Sequence, residues 1–98
     1  MDDQELLRYS RQIMLADVDI AGQEALGAAH VLIVGIGGLG SPAALYLAAA
    51  GVGRLTLCDD DDVELSNLQR QIAHSGASLG VNKAASARAN IETLNPHV

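Results

Sequence analysis

The apolar run His30-Val31-Leu32-Ile33-Val34 leads straight into Gly35, Gly37 and Gly40, which complete the pattern G-x-G-x-x-G, and Ser41-Pro42 follows. A strand, a bare turn and a helix in that order form the context in which this pattern has physical meaning. Proline suits the first turn of the helix, where its missing N–H has no intrahelical partner in any case. The backbone N–H groups at such a helix start are unpaired and the helix dipole favours negative charge, so a phosphate group is the ligand the turn invites. Side chains at these glycines would obstruct its approach, and Gly38 leaves the loop barer still. The competing reading is a tight strand-to-helix turn with no ligand. The glycines alone do not choose between a dinucleotide and ATP.

The surrounding chain completes a βαβ unit. The alanine-rich helix after Pro42 is stopped by Gly51, and Arg54-Leu55-Thr56-Leu57-Cys58 reads as a second strand running into four consecutive aspartates, Asp59 to Asp62. The unbroken apolar character of the first strand predicts burial on both faces, as in a parallel sheet. Upstream, Leu6, Tyr9 and Ile13 recur at helical spacing and predict an amphipathic helix from Asp3 to about Leu15, with Arg8 and Arg11 on another face. A brief second helix is expected over Gln23–Ala29. Residues 63–80 lack a sustained period and read as loop with one helical turn. Asn82 is placed to cap a helix from Lys83 to Leu94, ended by Asn95-Pro96. The expected architecture is α/β: a Rossmann-like parallel sheet with flanking helices, a helical extension over 1–29 and a βαβα core over 30–98. The start of a third strand is expected at the chain's end.

With 98 residues the chain makes at most one domain with a modest core. Nearly half of it, 49%, is apolar, yet Phe and Trp are absent, which suits close packing of helix on sheet by Leu, Val, Ile and Ala. The net charge of −6 argues against a general nucleic-acid binder or an anionic-membrane binder, which need basic surfaces. No apolar run approaches the roughly 18 residues of a membrane span. A single cysteine, Cys58, excludes an intrachain disulfide framework and fits a reducing cytoplasm. At the end of an apolar strand it reads as a buried thiol, disfavoured as a nucleophile by the aspartates after it. His30, His74 and His97 have no metal-ligand spacing and read as structural or surface residues.

Asp59 stands where a Rossmann unit places an acid to accept hydrogen bonds from ribose hydroxyls. Asp60 and Asp62 read as a solvated acidic turn, while Asp61 is open to a Mg²⁺-linked role. Asn67, Arg70 and Lys83 then bring an amide and two cations close behind this corner in a chain with six basic residues. Taken singly, Arg70 or Lys83 reads as an ordinary surface charge. Together they favour a triphosphate, because charge growing on phosphoryl oxygens needs fixed cations and a metal, whereas hydride transfer does not.

Arg8-Tyr9-Ser10-Arg11-Gln12, Gly35-Ile36-Gly37-Gly38-Leu39-Gly40, Asp59 to Asp61, Ser66-Asn67-Leu68-Gln69-Arg70-Gln71 and Lys83 together resemble the MoeB/ThiF/HesA family of adenylyltransferases. The resemblance covers nearly the whole chain and is most specific at Ser66–Gln71. It implies an enzyme that uses ATP to adenylate the C-terminal glycine of a ubiquitin-like sulfur-carrier protein, as in molybdopterin or thiamine biosynthesis, releasing pyrophosphate. It further implies that Gly35, Gly37, Gly38 and Gly40 lie at the nucleotide, that Asp59 binds ribose, and that Ser66, Asn67, Leu68, Gln69 and Arg70 surround the phosphates with Lys83. Arg11 matches an arginine that reaches into a partner subunit's site, which implies a homodimer. Members of the family continue to a further Mg²⁺-holding aspartate and often to paired cysteines that bind zinc, so those sites are expected outside these residues. The chain is accordingly expected to be a fragment or truncated product that does not catalyse adenylation alone. The alternatives are a tRNA-modifying dehydratase of the HesA-like branch, an NAD-dependent oxidoreductase, and a non-catalytic nucleotide-binding paralogue.

Overall fold

The computed structural model describes residues 1–98. The chain begins with three short helices: α1 (Asp3–Arg8), α2 (Ser10–Ile13) and α3 (Asp19–Ala28). Strand β1 (His30–Val34) then leads to α4 (Gly40–Ala50), β2 (Arg54–Cys58) and α5 (Lys83–Leu94), with two 3₁₀ turns at Leu65–Asn67 and Gly76–Ser78 between β2 and α5. The strands pair in parallel, His30 opposite Arg54 through Val34 opposite Cys58. The α/β arrangement with a parallel sheet and flanking helices is the one expected.

Local chemistry explains the element ends. Gly51 takes the left-handed conformation that closes α4, at φ 94°. The Asn82 side chain accepts hydrogen bonds from the N–H groups of Ala84 and Ala85 and so caps α5. Small residues let α4 and α5 lie close to the sheet. Fully buried Ala44 and Ala48 of α4 pack with Ile91 of α5 and with Ile33, Leu55 and Leu57 of the strands, and Ile36, Ala73 and Ala87 form a neighbouring cluster.

Several expectations need correction. The first helix is not continuous to Leu15: it breaks at Tyr9, which is drawn inward, with its ring beside Gly51 and its hydroxyl accepting from Asn95 at 2.8 Å. The next helix starts at Asp19, earlier than Gln23, where the Asp19 carboxylate accepts the Ile20 N–H. The strands are not covered on both faces. Burial alternates along each, and Leu32 and Val34 are 62% and 75% exposed because α4 and α5 cover one face only. Cys58 lies on the bare face and is exposed, not buried. Residues 95–98 form a turn, so the sheet has two strands and no third begins.

Candidate nucleotide site

The glycine loop is built at the C-terminal end of β1, beside the end of β2, and its glycines divide into two that the fold requires and two that it does not. Gly35 adopts φ +88°, a conformation that residues with a side chain rarely take, while its N–H donates to the Cys58 carbonyl at 2.8 Å. Gly40 opens α4 so close to the loop that a Cβ there would overlap the Gly35 carbonyl. Gly38 is different: a Cβ there would meet nothing within 4 Å, and at Gly37 it would meet only Gln71, at 3.7 Å. Neither of these two is demanded by the packing of the protein itself. The N–H groups of Gly37, Gly38, Leu39 and Gly40 have no acceptor in the chain, leaving a row of donors at the positive end of α4.

Asp59 ties this loop to the end of β2. One carboxylate oxygen accepts the Ile36 N–H at 2.7 Å and the other accepts the Asp61 N–H at 2.8 Å. Partial burial pushes its pKa upward. The Ile36 and Asp61 donors, with positive charge from Lys83 and His74, outweigh that and hold the carboxyl below its ordinary value. The sequence expectation gave Asp59 to ribose alone; the structure adds this bracing role. Each oxygen keeps further acceptor capacity for a second donor. The Asp61 carboxylate is exposed and accepts no hydrogen bond, and ligand atoms of Asp59, Asp60 and Asp61 lie within 4.8 Å of one another.

Lys83 is the first residue of α5 and only 8% exposed, yet no carboxylate lies within ion-pair distance of it; the chain's one ion pair is Arg88–Glu92. A cation at a helix N-terminus is opposed by the helix dipole, and here the stem of the lysine is covered while the carboxylate it acts on is that of Asp59. Arg70 is exposed and folds back so that Nη1 donates to the Ser66 carbonyl at 3.2 Å. Asn67 is buried and its side-chain oxygen accepts the Glu64 N–H at 3.1 Å, shaping the 3₁₀ turn, while its NH₂ is unengaged. Ser66 and Gln69 are exposed and Leu68 is partly buried. Arg11 stands apart. It is exposed on α2, which is fixed to the far end of α4 where Gln12 donates to the Ala50 carbonyl at 2.9 Å.

One contributor was missed by the sequence reading. His74 is buried, with Nε2–H donating to the Ile36 carbonyl at 2.8 Å and Nδ1 paired with the Ser86 hydroxyl at 2.9 Å. Both polar groups of Ile36 are therefore fixed, by Asp59 and His74, from positions 23 and 38 residues away. Only the concentration of polar residues after the acidic corner hinted at it. A concavity lined by residues 54–57, Ala84, Arg88 and Ile91 lies elsewhere, beside α5 along β2, where the sheet is open. No helix is long and apolar enough to cross a membrane.

Comparison with known proteins agrees with this geometry. The family model described as ThiF family matches residues 9–98. The chain is 58% identical over 98 residues to molybdopterin-synthase adenylyltransferase of Escherichia coli, covering 100% of this chain and 39% of that protein. It is 52% identical to the sulfur carrier protein ThiS adenylyltransferase of the same organism, again with 100% and 39% covered. Among solved structures, Escherichia coli tRNA N6-threonylcarbamoyladenosine dehydratase, TcdA, in complex with ATP superposes at a TM-score of 0.90 with 35% identity, covering 98% of this chain and 39% of that one. The chain thus spans about two-fifths of the length of these relatives.

Proposed function

This chain belongs to the ThiF family, and from that premise we propose that it supplies the ATP-binding part of an adenylyltransferase acting on the C-terminal carboxylate of a ubiquitin-like sulfur carrier. The observation that carries the proposal is the pairing of a row of free N–H donors at Gly37–Gly40 with Lys83, which has no ion-pair partner on the chain. The donors have no acceptor within the chain and the lysine has no ion-pair partner, and one bound polyphosphate would engage both. Identity to the sulfur-carrier enzymes, at 58% and 52%, exceeds the 35% to the tRNA dehydratase, which favours a protein carboxylate over an RNA-borne one.

In the reaction the carrier's carboxylate oxygen attacks the α-phosphorus of ATP, the bond to the bridging oxygen breaks, and pyrophosphate leaves with its electron pair. The loop N–H groups hold phosphoryl oxygens at the helix start, while Lys83 and Arg70 offset the charge that grows on the leaving group. Arg70 must leave the Ser66 carbonyl to do so. Asp59, already braced against the loop, uses its remaining lone pairs to accept from ribose hydroxyls. Mg²⁺ takes oxygen ligands, and Asp61, exposed and unengaged beside the loop, is the residue of the acidic corner that would help to hold it. When bound, the ion would supply further neutralisation of phosphate charge.

Arg11 does not serve its own chain's phosphates in this reading. The glycine loop sits at one end of α4 and the Gln12 anchor at the other, and 11 residues of helix span about 16 Å. That is farther than one arginine side chain extends, which supports the role the family resemblance gives Arg11, in a second subunit of a homodimer. Calorimetric titration of the chain with ATP and with NAD tests the core of the proposal. ATP should bind and NAD should not, and a preference for NAD would overturn it.

A further inference from the structure

We propose that Tyr9, Gln12 and Asn95 are positioning residues that aim Arg11 at the phosphates of a second subunit; this rests on the intersubunit role given to Arg11 above. The segment Arg8–Gln12 divides sharply by contact. Arg8 Nη1 donates to the Leu94 carbonyl at 3.0 Å. Tyr9, 3% exposed, accepts from Asn95 Nδ2 at 2.8 Å. Gln12 Nε2 donates to the Ala50 carbonyl and to Gln23 Oε1, each at 2.9 Å. Arg11 alone among the long side chains of this segment has no hydrogen bond and no ion pair, and it is exposed.

The anchors are themselves held in place. Asn95 is fully buried; its NH₂ also donates to the Ala48 carbonyl at 2.8 Å and its oxygen accepts the His97 N–H at 3.1 Å. Gln23 Nε2 joins Gln12 on the Ala50 carbonyl at 3.0 Å. The carbonyls used, from Ala48, Ala50 and Leu94, belong to the last turns of α4 and α5, where intrahelical partners run out. Apolar contact alone could attach so short a helix. Directional bonds from Tyr9 and Gln12, on either side of Arg11, also fix its rotation, and with it the direction in which Arg11 points. Leu7, Met14 and Leu15, spaced four, three and four residues from Arg11, are 77%, 80% and 59% exposed. Exposed apolar side chains thus flank the arginine along the chain, of the kind a second chain covers.

The functional test restores the relatives' length by placing residues 1–98 of this chain in front of the remainder of the Escherichia coli molybdopterin-synthase adenylyltransferase and follows ATP–pyrophosphate exchange in the presence of a sulfur-carrier protein with a free C-terminal glycine. Tyr9→Phe should slow exchange by roughly tenfold or more with little change in the KM for ATP, since a misplacement of about 1 Å is enough for such losses. Added to Arg11→Ala it should slow exchange no further. Subunit mixing separates the two layers of the argument. An equal mixture of Tyr9→Phe and Lys83→Met subunits should recover about a quarter of the unmutated rate, because half the dimers are mixed and each carries one working site. If Arg11→Ala mixed with Lys83→Met fails to recover, the intersubunit role itself falls. If that mixture recovers and the Tyr9→Phe mixture does not, Tyr9 supports its own subunit's site and the positioning role falls alone. On the 98-residue chain, Tyr9→Phe should speed hydrogen exchange over Ser10–Leu15 and leave the amides of α5 before Asn95 protected; unchanged exchange in Ser10–Leu15 would overturn the clamp whatever the fused enzyme does.

Discussion

Replacing Lys83 with Met separates stability from nucleotide affinity in a direction that ordinary core or surface residues do not share. Lys83 is 8% exposed, has no ion-pair partner and begins α5 with its charge at the positive end of the helix. Relief of the dipole conflict is worth about 0.3–1 kcal/mol, and methionine fills nearly the same volume as the covered stem of the lysine. Loss of the attraction to Asp59 works against this gain. The ligand-free Lys83→Met chain should therefore be as stable as the parent or more stable by about 0.5–1 kcal/mol. Its ATP affinity should move the other way. A hydrogen bond to a charged group contributes about 1.5–3 kcal/mol, so the dissociation constant should rise roughly 10- to 150-fold, while that for adenosine, which has no phosphate, stays unchanged. Urea denaturation followed by circular dichroism gives the first quantity and calorimetry the second. A variant destabilised by more than about 1 kcal/mol would show that Lys83 is a structural cation with a partner of its own. ATP affinity within threefold of the parent would remove Lys83 from the phosphate site.

The glycine loop should respond unevenly. Gly38→Ala, with nothing within 4 Å of the new methyl, should stay within about 0.5 kcal/mol of the parent in stability yet lose ATP binding. Gly40→Ala, which overlaps the Gly35 carbonyl, should lose about 1–3 kcal/mol; thermal melts and titrations that rank the two the other way would refute the division of roles. Asp59 has a pKa below its ordinary value, so its stabilising contribution is complete above about pH 3.9, the unfolded value, and disappears as pH falls through the lower folded value. Urea midpoints of the parent and of Asp59→Asn should converge on acidification below about pH 4, and a constant gap would contradict the bracing role. Cys58 is exposed on the bare face of the sheet, so a thiol reagent should label it fully in the folded chain; protection there would mean that this face is covered in solution.

What could be read from the sequence was what local chemistry decides. Glycine and Asn-Pro punctuation set the limits of β1, β2 and α5, because a left-handed cap or a lost N–H acts on its own neighbours whatever the rest of the chain does. Burial was not legible in the same way. Leu32, Val34 and Cys58 have the composition of a covered strand, but composition states what a face tolerates, and only the layers actually present state what it meets. The site divides along the same line. Gly35–Gly40 and Lys83 were recognisable as types, whereas the groups that shape the loop, Asp59 on the Ile36 N–H and His74 on its carbonyl, act across long separations that no periodicity encodes. Asn95 shows the limit most plainly. In the sequence it is half of an Asn-Pro stop; in the fold its side chain holds Tyr9 and the Ala48 carbonyl together. A residue that ends one helix can therefore also orient another, and a substitution that preserved only the helix stop would lose the second task.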